Sequence, residues 1–412
     1  MRKNFTVAAV FLVIALALGG TLPLWLDEII QLQETRNTTP AQLLESLPHT
    51  PGGAPLGYLI QQTSMRVTGY SVRAARFPSA LFVAGAVFFT GMIAAELGLT
   101  WPWLAAAIFA LFPETLRYAC ESRVYAQALL FSTLATWLFL RRNMALYTLA
   151  LVAAIYTQPY AIFVGFAHLA WERKRSAAIP LGVALAAFLP WYIHASQVWS
   201  SGLASTDVRF AFSPKTPLML FREAAGAGYW GSGLLLILCL MAARHRKFLA
   251  YWIGVPVLLA ILADAASGYF VAARQILWIL PAVAVAAALG AERLPRPGRA
   301  LVAVLAAVCV WYSYRYFTAP HDNFEKAADT MMAEVKQGAC IAVVPAHDRP
   351  LYEFFRPEIA EANCLSPRVL LVTSPYTTPA EKQAGVVRLR ESNYRQESVS
   401  TVGRSEISVF TH

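Results

Sequence analysis

Eleven apolar runs follow one another between residues 5 and 317, and a chain that must place so many has few folds open to it. They cover residues 5–24, 76–97, 101–117, 123–140, 144–158, 160–172, 177–194, 217–240, 248–265, 273–290 and 300–317. At about 1.5 Å of rise per residue, roughly twenty helical residues cross the ~30 Å hydrocarbon core of a bilayer. Backbone groups in lipid must be satisfied within the protein, which favours helices for runs of this length. Composition agrees: the chain is 57% hydrophobic and 14% charged, against about 25% charge in a soluble domain. The expected fold is an α-helical polytopic membrane protein with about eleven transmembrane helices.

The net charge of +10 is not spread as a nucleic-acid footprint would be. No basic stripe with interleaved aromatics occurs, so nucleic acid is set aside as a partner. Instead the basic residues cluster between apolar runs, as Arg2-Lys3, Arg141-Arg142, Arg173-Lys174-Arg175, Arg244-His245-Arg246-Lys247 and Arg293 to Arg299. Eleven spans with the N-terminus inside put every cluster on the cytoplasmic face. Reading Gln158-Pro159 as a kink in one helix would move two of them outside. Phe5 to Leu24 after Arg2-Lys3 also has the outline of a signal peptide, with Ala15-Leu16-Ala17 like a cleavage site. The spans that follow favour an uncleaved first helix.

The same count leaves residues 25–75 as a long first external loop within a membrane domain of residues 1–317. Pro40 to Leu47 and Leu56 to Val67 read as short helices inside that loop. The second is amphipathic, with Leu56, Leu59, Ile60 and Val67 opposite Gln61, Gln62, Ser64 and Arg66, and is expected to lie in the membrane interface. After Phe317 the pattern changes to alternating helices and strands over residues 318–412. Asn323 to Lys336, Pro350 to Arg356 and Ala380 to Glu391 are helical; Cys340 to Pro345, Arg368 to Thr373, Gln396 to Val402 and Ile407 to Phe410 are strands. This is a small external α/β domain with a modest core. Five cysteines show no CxxC spacing, so neither zinc nor a redox motif is supported. Cys340 and Cys364 can pair if their segment lies outside the cytoplasm, and two free thiols are the alternative.

Three polar stretches punctuate the outer side of this plan. Leu24-Trp25-Leu26-Asp27-Glu28 sets two carboxylates where the first helix surfaces. Either can take a proton from a hydroxyl as a general base, or simply cap a helix and mark the water boundary. Adjacent helical residues point about 100° apart, so one of the pair would face a reacting atom. Pro48-His49 to Tyr58 is too rich in Pro and Gly for a helix interior. Glu121-Ser122-Arg123-Val124-Tyr125 falls at another helix end, and its charges alone read as an exposed ion pair worth up to about 1 kcal/mol. Arg274, near a span end, suits an anion or a snorkelling position. His168, His194, His245, His321 and His347 are isolated, no dense carboxylate cluster suggests a metal, and no P-loop occurs.

Taken in order, Trp25-Leu26-Asp27-Glu28, Pro48-His49 with Pro55-Leu56-Gly57-Tyr58, Arg76-Phe77-Pro78-Ser79-Ala80 and Glu121 to Tyr125 resemble the membrane glycosyltransferases of the GT-C class. The nearest resemblance is to bacterial glycosyltransferase family 39, which is related to protein O-mannosyltransferases and the aminoarabinose transferase of lipid A. It implies a polyprenyl-phosphate sugar as donor, a lipid, glycan or protein acceptor, and transfer at the outer face of a bacterial cytoplasmic membrane. No cofactor is implied. Carried over, Asp27 matches the catalytic base and Glu28 its acidic neighbour. His49 and Tyr58 match a loop segment usually read His-Pro-Pro-Leu-Tyr-Tyr, stretched here by Thr50 to Ala54. Glu121, Arg123 and Tyr125 match a second acidic motif, with Ser122 in place of Ala. Arg274 resembles a late Arg-Tyr element that meets the donor phosphate, with Gln275 in place of the Tyr.

Two other classes compete with this reading. A transporter or flippase of lipid-linked sugars would keep its ionisable residues near the bilayer midplane, whereas Glu96, Glu172, Asp264 and Arg274 fall near span ends. A scaffold displaying the C-terminal domain would have no use for the acidic pair.

Overall fold

Proline and glycine decide where the apolar runs become helices. The run 101–117 splits at Pro113, giving helices Pro102–Leu111 and Pro113–Ala119, because proline cannot donate and disfavours a helical residue before it. The run 217–240 becomes Thr216–Ala225 and Gly228–Ala243, two helices bent by 101°. Gly226 and Gly228 stand at the bend with φ of +68° and +61°, a conformation that costs glycine nothing. At Gln158-Pro159 the helix Met144–Ile155 ends, and a 3-10 turn Pro159–Ile162 leads into Phe163–Glu172. The Gln158 side chain accepts from the Tyr160 N–H, and the two runs form separate helices.

The computed structural model describes residues 1–36, 38–49, 53–204, 212–243, 247–267, 272–295, 299–362 and 366–412. It divides into two compact units, Met1–Gly20 with Glu34–Phe317, and Thr21–Gln33 with Thr318–His412. The expected boundary at residue 317 is therefore joined by a second one. The acidic stretch leaves the membrane unit and packs with the C-terminal segment.

In the first unit, six described helices are long and apolar enough to cross a membrane: Arg2–Gly19, Val72–Glu96, Arg175–Ser196, Lys247–Ser267, Ala273–Arg293 and Ala300–Thr318. The bent pair makes a seventh candidate, and Pro102–Leu111, Tyr125–Leu140 and Met144–Ile155 are shorter apolar helices. Lipid gives apolar side chains no reason to prefer each other, so such helices associate by close backbone approach at small residues. The segment Ala273–Arg293 is buried along nearly all its length, and a Cβ on Gly290 would sit 2.2 Å from the Leu238 carbonyl oxygen. Likewise the Asn4 side chain lies against Gly91, where a Cβ would be 2.6 Å from its Cγ.

Polar contacts sort to the two ends of this unit. At one end Arg141 pairs with Glu96 at 3.2 Å and Arg142 with Glu172, while Glu292 accepts from the Thr100 and Trp101 N–H groups. The other end carries Arg76 donating to the Gly19 carbonyl at 2.7 Å, together with Arg117 and Glu121.

The second unit is built on a four-stranded sheet: β1 (Cys340–Val344), β2 (Arg368–Thr373), β3 (Arg395–Val402) and β4 (Ser405–Thr411), in the order β1-β2-β4-β3. β1 and β2 are parallel, and the other pairings are antiparallel. Gly403, at φ +62°, opens the two-residue turn between β3 and β4. Helix Phe324–Val335 brings Phe324 and Met331 into a core with Tyr352, Leu370 and Phe410. Cys340 is half of a disulfide, and Cys364 lies outside the described residues.

Candidate active site

The acidic pair sits in the first turn of helix Leu26–Thr35, where the unpaired N–H groups favour negative charge. Its two members do different things. Glu28 is fully buried and accepts from the Trp25 N–H at 3.4 Å, the reciprocal arm of a capping box. Asp27 stays half-buried, so its carboxylate keeps a route to solvent. Around it, the second unit supplies groups that sequence reading passed over. Tyr376 donates its hydroxyl to Asp322 at 2.8 Å, and Arg404 lies 3.4 Å from the other oxygen of Asp322. Burial pushes the Tyr376 phenol well above its ordinary value; the bond to Asp322 adds to the rise, and the Asp27 charge adds further. Gln33, on the same helix, ties it to this unit by donating to the Pro350 carbonyl at 2.9 Å.

The remaining candidates belong to the first unit. Glu121 is buried, so it is not one half of an exposed ion pair. Arg117 donates to it through Nε at 2.7 Å, and Tyr316 donates at 3.4 Å. Arg117 also lies 3.5 Å from Glu114 and packs over the rings of Tyr118 and Tyr316. Removing one partner of a buried pair like this leaves a stranded charge, at about 3–5 kcal/mol. Arg123 is half-buried and lies over the Tyr125 ring, which meets Tyr118 edge-on. Arg117 escaped sequence reading, although its i,i+4 spacing to Glu121 was the signal that could have found it.

The helix Pro55–Thr68 backs this motif, which corrects the expectation of an interfacial amphipathic helix. Gln61 and Gln62, assigned to the wet face, are each 1% exposed, and Val67, assigned to the apolar face, is 80% exposed. Gln61 donates to the Ser122 carbonyl at 3.2 Å, and Gln62 to the Thr38 carbonyl at 2.9 Å. These bonds give the two buried amides backbone partners, and the Thr38 carbonyl accepts from Arg66 as well, at 2.6 Å. Tyr58 packs with Leu43, Leu47 and Val124, and Gly57 lets the helix approach, since a Cβ there would lie 2.6 Å from Val124. His49 ends the 3-10 turn Leu47–His49 and is exposed, so the first loop brings Tyr58, but not His49, into the packing around Glu121 to Tyr125.

Arg274 lines a cavity of about 500 Å³ together with Glu114, Arg117 and Tyr118, Arg222 and Glu223 from helix Thr216–Ala225, and Tyr312. Three arginines against two glutamates leave the wall one charge positive. Guanidinium groups hold phosphate and carboxylate oxygens bidentately and keep their charge. Within the first unit the structure thus brings Arg274 and the Glu121 motif together through Arg117. Arg222 and Tyr312 were not legible in the sequence, because Arg222 stands beside the 101° bend that Gly226 and Gly228 allow, and Tyr312 comes from the distant helix Ala300–Thr318. Among the described residues no three His, Cys, Asp or Glu side chains converge as a metal site would need.

No protein-family model matches the chain, and no curated protein does. Solved structures do. The crystal structure of ArnT from Cupriavidus metallidurans in the apo state aligns over 97% of both chains with a TM-score of 0.61 at 13% identity. The same protein bound to undecaprenyl phosphate aligns over 97% of both with a TM-score of 0.57, again at 13% identity. The chain therefore has the GT-C fold of ArnT along nearly its whole length, a helical membrane part with a small C-terminal sheet domain.

Proposed function

We propose that this chain is a glycosyltransferase of the bacterial cytoplasmic membrane, moving a sugar from a polyprenyl-phosphate donor to an acceptor on the outer face with inversion. The observation that carries the reading is the arginine-walled cavity, set in a fold shared with an ArnT structure that holds undecaprenyl phosphate. In the proposed reaction Asp27 takes the proton from the acceptor hydroxyl, whose oxygen attacks the anomeric carbon. The bond to the phosphate oxygen breaks, and Arg274 with Arg117 stabilises the anion that leaves. One base and one stabilised leaving group suffice, so no covalent nucleophile is needed. The role of Glu28 in capping its own helix supports Asp27 as the base.

Transfer at the outer face follows from an eleven-span topology with the N-terminus inside. The sorting of polar contacts supports it: Glu96, Arg141, Arg142, Glu172 and Glu292 gather at one end of the unit, and Arg76 bonds at the other. The acceptor is a hydroxyl of a lipid, glycan or protein.

Purified protein incubated with polyprenyl-phosphate sugars and an envelope extract should yield a glycosylated product identifiable by mass spectrometry. Asp27→Asn should lower transfer by about 10²–10⁴-fold, the range of general-base catalysis, with membrane insertion and thermal unfolding unchanged. Retained turnover by well-folded Asp27→Asn protein sinks the assignment.

A further inference from the structure

Behind the cavity, a buried carboxylate holds the stretch of backbone that carries Arg274. Asp264 lies near the end of helix Lys247–Ser267 and is fully buried. One of its oxygens accepts twice, from the Tyr160 hydroxyl at 2.5 Å and from Gln275 Nε2 at 3.2 Å. Gln275, itself 5% exposed, closes a local ring with Ala272. Its side-chain oxygen accepts from the Ala272 N–H at 2.7 Å, and its own N–H donates to the Ala272 carbonyl at 3.0 Å. Ala272, Ala273 and Arg274 all line the cavity, and Gln275 does not. The residue after Arg274 is therefore turned inward and anchored, and the loop it anchors is the cavity wall.

A carboxylate buried in a membrane helix is costly and is kept where it organises something. Here the three bonds that Gln275 makes fix three consecutive residues of a wall that faces the proposed donor phosphate. We propose that Asp264, acting through Gln275, is a positioning residue that aims the Arg274 guanidinium into the cavity. Tyr160 braces the same oxygen from helix Phe163–Glu172's leading turn. The inference rests on the donor-phosphate role given to Arg274 above. It adds that this role depends on a lock two bonds away, and that Gln275, where the resembled motif has a Tyr, serves the lock rather than the phosphate.

The test uses the full chain in detergent and polyprenyl phosphate as the probe, with affinity read by tryptophan fluorescence. Arg274→Ala should weaken binding, and Gln275→Ala and Asp264→Ala should each weaken it roughly tenfold, within the range that coupling between contacting residues reaches. Asp264→Asn keeps an oxygen that accepts both bonds, and should bind within about twofold of the parent. In the Arg274→Ala background, Asp264→Ala should cost nothing more, since coupled residues are non-additive where independent ones add. Full additivity, or an Asn variant as weak as the Ala variant, overturns the inference. If Asp264→Ala does not fold, Gln275→Ala alone and in the Arg274→Ala background decides the same question. Unchanged affinity in Arg274→Ala overturns the donor-site reading itself, whereas a weakened Arg274→Ala beside an unaffected Gln275→Ala overturns only the lock.

Discussion

Polar residues of one type divide here by where their hydrogen bonds go, and that division is what a sequence hides. Asp27 and Glu28 are neighbours with the same charge, yet Glu28 is fully buried against the Trp25 N–H and Asp27 is half-buried. Gln61 and Gln62 look solvated on a helical wheel because the wheel knows the polarity of a residue and not of what it faces. Their partners, the carbonyls of Ser122 and Thr38, belong to distant segments. Gln61→Leu should therefore destabilise the protein by about 0.5–1.5 kcal/mol, the net worth of one hydrogen bond, despite making the helix more apolar. Thermal unfolding checks the sign: a gain in stability would show that the Ser122 carbonyl finds another donor. Glu121 and Arg274 were legible because each belongs to a motif with a recognisable neighbourhood. Arg117 was not, since it precedes its motif and acts by reaching one helical turn forward to Glu121.

Whole elements were read well where a run had punctuation and poorly where the punctuation sat inside it. β2 was expected over Arg368 to Thr373 and occupies those residues, because Ser366-Pro367 precedes an unbroken β-branched and leucine stretch. Helix Pro379–Glu391 begins one residue before the expected Ala380, since Thr378 caps it through the Glu381 N–H. By contrast the runs 101–117 and 217–240 hid Pro113 and Gly226 within apolar stretches, and each became two helices. The second break shapes the cavity, because it brings Arg222 and Glu223 to the wall. Gly228 has φ +61° and the Tyr312 hydroxyl 2.1 Å from where its Cβ would be. Gly228→Ala should accordingly cost about 1–3 kcal/mol of stability from strain and lower transfer activity, with differential scanning fluorimetry and the product assay as readouts. Unchanged values in both would mean the bend tolerates a side chain.

For the molecule as a whole, the expected membrane and external parts and the two compact units of the structure differ in where they count Thr21–Gln33. Residues 318–412 were separable because their hydropathy pattern changes. Thr21–Gln33 was counted with the membrane part because it follows the first span directly, and chain order is a poor guide to packing once a helix leaves the membrane. The topology makes a whole-molecule prediction. Single cysteines at Ser392 and at Arg142, in a background lacking the free cysteines, should react oppositely with a membrane-impermeant thiol reagent on intact cells, the first labelled and the second protected. Labelling of Arg142→Cys alone reverses the orientation, and labelling of both contradicts the placement of the two positions on opposite faces.

The order of strands in the C-terminal sheet also sets a timetable for synthesis. β4 pairs with β2 on one side and β3 on the other, so two of the three ladders wait for residues 405–411 to be made. Until then β2 has only β1 beside it, and β3 has no partner strand at all. Helices can insert in the membrane as each is translated, whereas this sheet can close only in a single late step, leaving its edges open during elongation. A chain stopped short of residue 405 should thus keep its membrane helices and lose the sheet as a unit, with the acidic helix deprived of the body it packs on.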